Sequence, residues 1–190
     1  MKTFLAATIW YVMGALAYAS SSEEVIQEYI TALRSKDAAK ISELTAPTDL
    51  TKFRGFFSYF DQRDDSKFGE QLRKTYFGPE ATKRSVKAIS DAQFYTAYLT
   101  ATRQIMLAFG SSDLEMADYK ILGHVSQDGI EHYVILFHAS VPLPGTDKPF
   151  EFSQPVIVSL TKDKSGGVFL QIPDPVFMNA VAVSERINEG

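Results

Sequence analysis

Three histidines fall in the stretch "HVSQDGIEHYVILFH", from His124 to His138, and they are all the histidines the chain has. Imidazole holds transition metals and moves protons near neutral pH, so this spacing is the first pattern to test. The stretch turns on Asp128-Gly129, a dipeptide that favours tight hairpins between alternating strands. Two registers fit it. A two-residue loop sets Gln127 opposite Ile130, which places His124 opposite Tyr133 and His132 opposite Val125, on different faces. A three-residue loop with Gly129 left-handed sets Ser126 opposite Ile130 and brings His124 directly across from His132, with Cβ atoms about 5 Å apart. In both registers His132 and His138 stand six strand residues apart, roughly 20 Å at about 3.3 Å per residue. The three cannot converge, and Glu131 points to the face opposite His132, so neither a metal centre nor a cofactor is expected.

The second route to chemistry is a buried imidazole or carboxylate facing a phenol, which could abstract a proton once burial moves its pKa toward neutrality. The chain supplies the types in His124, His138, Asp118, Tyr59, Tyr95, Tyr98, Tyr119 and Tyr133. It supplies no G-x-S-x-G elbow, P-loop, G-x-G-x-x-G turn or H-E-x-x-H helix, and it has no cysteine. Catalytic residues are therefore not assigned, and whether the protein is an enzyme stays open.

These side chains must be positioned by elements whose hydrophobic period changes once, at Gly110. Before it the period is helical. Val25, Ile26, Tyr29, Ile30 and Leu33 share a face, with Ser21 or Ser22 as cap and Glu23 and Glu24 at the positive end of the helix dipole. A break at Ser35-Lys36-Asp37 leads to a second helix through Ile41 and Leu44, which Pro47 is expected to end. Thr48 or Asp49 then caps a helix on which Leu50, Phe53, Phe56, Phe57 and Phe60 form an aromatic stripe; Phe68, Leu72 and Phe77 form another. Such stripes read as core. Ser90 caps a last helix carrying Phe94, Tyr95, Tyr98, Leu99, Thr102, Ile105 and Met106 on one broad face, closed by Gly110.

After Gly110 the period is two. Residues 117–127, 130–142, 148–162 and 166–174 read as four strands at hairpin spacing, hence an antiparallel meander. In the third, Phe150, Phe152, Val156, Val158 and Leu160 alternate with polar residues, and Pro155 marks a bulge or an edge. The second strand is apolar on both faces, with Tyr133, Ile135 and Phe137 on one and Val134 and Leu136 on the other. One face can cover the helices; the other needs a partner or the C-terminal segment. The predicted class is α+β, with N-terminal helices packed in the concave face of a curved antiparallel sheet of about four strands.

In this order of elements the chain resembles the nuclear transport factor 2-like superfamily, the α+β cone also called cystatin-like. The residues that carry the likeness are the opening helix pair "VIQEYITALRSKDAAKISEL", the hairpin "YKILGHVSQDGIEHYVILFHASV" and the closing "SLTKDKSGGVFLQIPD". The tryptophan usual in the family's final strand is absent, with Val168 or Phe169 near its place, and residues 48–89 make a longer helical middle than the smallest members have. The resemblance implies a funnel-shaped apolar pocket, homodimers through the outer face of the sheet, and functions from ligand binding to isomerase and dehydratase chemistry.

At the N-terminus Lys2, an apolar run from Phe4 to Leu16 and Ala17-Tyr18-Ala19 read as a secretory signal peptide, residues 1–19, too short to span a bilayer. Residues 20–190 then form a single periplasmic or secreted domain with no membrane contact after cleavage. Without cysteine it must hold together by packing. A net charge of −4 with scattered basic residues, densest at Lys83, Arg84 and Lys87, argues against a nucleic-acid partner. The expected function is binding of an apolar small molecule between helices and sheet, in a pocket lined by Phe57, Phe60, Tyr95, Tyr98, His124, Tyr133 and His138. The alternatives are an isomerase or dehydratase using a pocket histidine and tyrosine, and an interaction module that pairs through the sheet as a homodimer.

Overall fold

The computed structural model describes residues 21–62, 67–108, 115–141 and 148–172; the side chains of 58–62, 67–68, 106–108, 115–117 and 141 lie outside that description. So do the expected signal peptide, Gly110 and the segment after Ile172.

Among the described residues six helices precede four strands: α1 (Ser22–Ser35), α2 (Ala38–Leu44), α3 (Pro47–Gln62), α4 (Lys67–Phe77), α5 (Lys83–Ala88), α6 (Asp91–Ala108), β1 (Glu115–Gln127), β2 (Ile130–Val141), β3 (Phe150–Lys162) and β4 (Val168–Leu170). The predicted α+β class holds, with a curved, unclosed antiparallel sheet in the order β1-β2-β3-β4. Local chemistry explains the boundaries. Ser21 starts α1 through a capping box: its hydroxyl accepts from the Glu24 N–H at 3.2 Å, and the Glu24 carboxylate accepts from the Ser21 N–H at 2.7 Å. Lys36, left-handed at φ 62°, ends α1, and Asp37 caps α2 by accepting from the Lys40 N–H at 2.9 Å. Ser90 and Gln93 form the same reciprocal box at the start of α6.

One expected boundary is corrected. Pro47 does not end a helix but begins one, as the first residue of α3, where a missing N–H costs nothing. Thr48 and Asp49 therefore lie inside the first turn instead of capping it. The buried Asp49 carboxylate reaches across to accept the Ile172 N–H at 3.1 Å.

The apolar residues separate into two clusters. In one, Val25, Ile26 and Ile30 of α1 pack under Tyr133, Ile135, Phe137, Val158 and Leu160 of the sheet, with Leu44, Val168 and Leu170 closing the side. In the other, Phe53 sits at the centre of the helices with Leu50, Val86, Phe94, Tyr95 and Ile172. The seam between them is the chain crossing at 45–49 and 170–172. There Thr45 bridges Leu170, the Ala46 N–H bonds the Leu170 carbonyl at 2.8 Å, and Asp49 holds Ile172.

β2 and β3 pair without interruption from Ile130↔Thr161 to Val141↔Phe150, so Pro155 sits at no bulge. β4 pairs only with Leu160 to Lys162, which leaves Pro155 where no further described strand flanks β3, an edge position.

Arg54 closes the helix layer. Its Nη1 donates to the Ile89 carbonyl at 2.6 Å and to Asp91 Oδ1 at 2.9 Å; its Nη2 donates to the Val86 and Lys87 carbonyls, each at 3.1 Å. The Val86 and Lys87 carbonyls are among those that the end of α5 leaves without helical partners. The Thr51 hydroxyl, at 2.7 Å, and Arg54 together hold the Asp91 carboxyl below its usual range. Replacing Arg54 with Met should cost about 2 kcal/mol in urea unfolding at neutral pH, because it orphans several half-buried acceptors. Asp91→Asn should cost about 1 kcal/mol at pH 7. Since the folded carboxyl is the stronger acid, its contribution is complete above the ordinary aspartate range and is lost as pH falls toward its lowered folded value. The difference between wild type and Asp91→Asn should therefore narrow between about pH 5 and 3.

Candidate functional site

The hairpin takes the two-residue loop. Asp128 at φ 52° and Gly129 at φ 79° make a turn with both central residues left-handed, and Gln127 pairs with Ile130. His124 lies opposite Tyr133 and His132 opposite Val125, on different faces. The imidazole of His124 stacks on the Tyr133 ring, with centroids 5.3 Å apart and planes 18° from parallel. His132 and His138 share the outer face, away from the helices, and each meets the serine directly opposite it on β3. His132 Nδ1 is 2.8 Å from Ser159 Oγ, and His138 Nδ1 is 2.7 Å from Ser153 Oγ.

On the inner face the buried Tyr133 phenol donates to Glu131 at 3.3 Å, and Lys162 Nζ pairs with the same carboxylate at 3.2 Å. The Ser22 hydroxyl, first, and Lys162 hold the Glu131 carboxyl below its usual range; burial, foremost, and the Glu131 charge push the Tyr133 phenol up. The phenol stays protonated and the carboxylate ionised, which suits a clamp between the start of α1 and the hairpin better than proton abstraction at neutral pH. His124 meets the face of the Tyr133 ring, not its hydroxyl.

The seven residues expected to line one pocket go to different places. Phe57, Tyr95 and Tyr98 surround Phe53, with ring centroids 5.0, 4.9 and 4.8 Å from it. Burial, above all, raises the Tyr95 phenol far beyond its usual range. Tyr133 belongs to the sheet cluster with His124 outside it, and His138 is on the opposite face. Phe60 belongs to α3, with its side chain outside the described residues. A separate cavity of about 410 Å³ is lined by Glu70, Gln71, Lys74, Thr75 and Pro79, none of which is among the seven. Among the described residues no group of three or more His, Cys, Asp or Glu side chains is placed to hold a metal ion.

The arrangement that sequence reasoning saw only in part is the outer face of the sheet. Val134 and Leu136 stand between His132 and His138 on β2, and Ile157 and Pro155 stand opposite them on β3, between Ser159 and Ser153. On β1, Val125 flanks His132, and Leu122 sits at a bulge between the inward Ile121 and Gly123. Val125 and Ile157 are 58% and 62% exposed and adjoin the half-buried Val134 and Leu136, so apolar side chains meet on this face instead of standing singly. Tyr133, Ile135 and Phe137 already cover α1, which leaves this face with nothing described over it. The alternation Ser153, Pro155, Ile157, Ser159 was visible in the sequence, but only the β2–β3 register makes it a face with Val134 and Leu136.

Because the turn sets that register, its torsions are testable. Gly129→Ala should lower stability by about 1 kcal/mol, since a Cβ disfavours its left-handed conformation, whereas Asp128→Asn should change it little. Urea unfolding measures both.

No protein-family model matches the chain, and no curated protein matches it.

Proposed function

We propose that this chain is an exported interaction domain that pairs with a second copy of itself through the outer face of its sheet. The observation that carries the reading is the apolar patch on the outer face, where the exposed Val125 and Ile157 adjoin the half-buried Val134 and Leu136, on a sheet whose inner face packs on α1 through Tyr133, Ile135 and Phe137. Apolar area in water costs roughly 25 cal/mol per Å², and a second copy relieves that cost on both partners at once. The ring contacts around Phe53 support this reading over an apolar ligand between helices and sheet, since Phe57, Tyr95 and Tyr98 each pack directly on Phe53. The same reading takes residues 1–19 as a leader removed on export and the chain as a member of the nuclear transport factor 2-like superfamily, whose resemblance implies dimers through this face.

Sedimentation velocity across the micromolar range tests it. The wild type should run as a dimer. Ile157→Glu should run as a monomer with its unfolding free energy within about 0.5 kcal/mol of wild type, because the side chain is 62% exposed in the single copy. A wild type that stays monomeric throughout that range contradicts the proposal.

A further inference from the structure

We infer that protonation of His132 and His138 opens the pairing of this face. The inference rests on the reading above and names how that contact is regulated.

The face carries nearly the same pattern read from either end. Along β2 the outward residues run His132, Val134, Leu136, His138, and opposite them on β3 run Ser159, Ile157, Pro155, Ser153. Two such sheets stacked face to face are related by a two-fold axis lying in the plane of contact. If the axis runs along β2, each histidine faces its own equivalent. If it runs across β2 at Ile135, His132 faces His138. Either way the apolar pair Val134 and Leu136 of β2 meets its equivalent and the imidazoles meet imidazoles. This self-complementarity selects a second copy as the occupant. Ile172, the last described residue, packs with Leu50 and Phe53 among the helices, so the described chain ends away from this face.

In each histidine Nδ1 is engaged by a serine hydroxyl on the same sheet, which leaves Nε2 as the ring nitrogen available to the other copy. Neutral rings can meet there as donor and acceptor. Protonated rings present only N–H donors, and contact would desolvate like charges against each other. Among the described residues the other charged groups on this face lie toward one end: Asp118 opposite His138 and Lys120 opposite Leu136 on β1, and Glu151 on β3 beyond Ser153. The Asp118 carboxylate accepts its neighbouring Tyr119 N–H at 2.7 Å, and it is the only one of the three in line with a histidine. Across from His132 stand Val125 and Ser159, so among the described residues a cation there has no carboxylate directly across from it on its own copy. The pairing therefore holds while both rings are neutral and opens when they are protonated.

The test is the self-dissociation constant of the exported chain by sedimentation at about pH 8 and about pH 5.5, with near-ultraviolet circular dichroism confirming that the fold persists. The same is measured for the double variant His132→Gln, His138→Gln, whose amides can still bond the serines. Wild-type dissociation should strengthen about tenfold or more on acidification, and that of the double variant by less than about threefold. A wild-type constant unchanged by pH overturns the switch and leaves the pairing standing. An equal acid effect in the double variant also overturns it, assigning the effect to Asp118, Glu151 or the fold. A wild type already monomeric at pH 8 overturns the pairing itself.

Discussion

The chain can reverse between β1 and β2 in two residues only because Asp128 and Gly129 both take positive φ, 52° and 79°. That turn pairs Gln127 with Ile130 and so decides which side of the sheet every later residue faces. Strand side chains alternate with a period of two, so a slip of one residue would exchange the faces completely. In the observed register Tyr133, Ile135 and Phe137 fall on α1 and are buried to 8% exposure or less. Each is worth about 1.5–3 kcal/mol relative to leaving it in water, which holds the register against slipping. The same choice sends His132, Val134, Leu136 and His138 outward. The core on one side and the apolar patch on the other are two consequences of one turn.

A second constraint ties this sheet to the rest of the chain. The sheet cluster and the helix cluster meet where residues 45–49 cross residues 170–172, with Ala46, Asp49 and the Thr45–Leu170 bridge as the links. Arg54 performs the matching task inside the helix layer, gathering the end of α5 and the start of α6 onto α3. Both links act on the inner side. The helix packing therefore draws on the inner side of the sheet alone, and among the described residues nothing covers the outer side of β1, β2 and β3.

Much of this was legible from residues alone where the determinant is local. The cap at Ser90, the cap at Ser21 or Ser22, the break at Ser35-Lys36-Asp37 and the alternation in β3 all depend on groups a few positions apart; the structure selects Ser21 as the first cap, makes Asp37 the cap of α2 and leaves Pro155 at an edge instead of a bulge. Pro47 was misjudged because a proline that stops one helix and a proline that opens the next look the same until the preceding boundary, here Leu44, is known. The hairpin register stayed open because Asp-Gly suits both loop lengths, and with it the faces of all three histidines. Phe57, Tyr95 and Tyr98 were grouped with Tyr133 because all are aromatic on inward faces; which cluster each joins depends on the seam where Asp49 holds Ile172, two residues 123 apart in the chain.

The central claim is that the outer sheet face is a contact between two copies. Because the chain has no cysteine, Gln127→Cys introduces a single labelling site at the exposed hairpin tip of that face. A nitroxide placed there and read by pulsed dipolar spectroscopy at micromolar concentration should give one defined distance between copies, which disappears in the Ile157→Glu background. A signal with no inter-copy distance, or a distance that survives Ile157→Glu unchanged, would contradict the account.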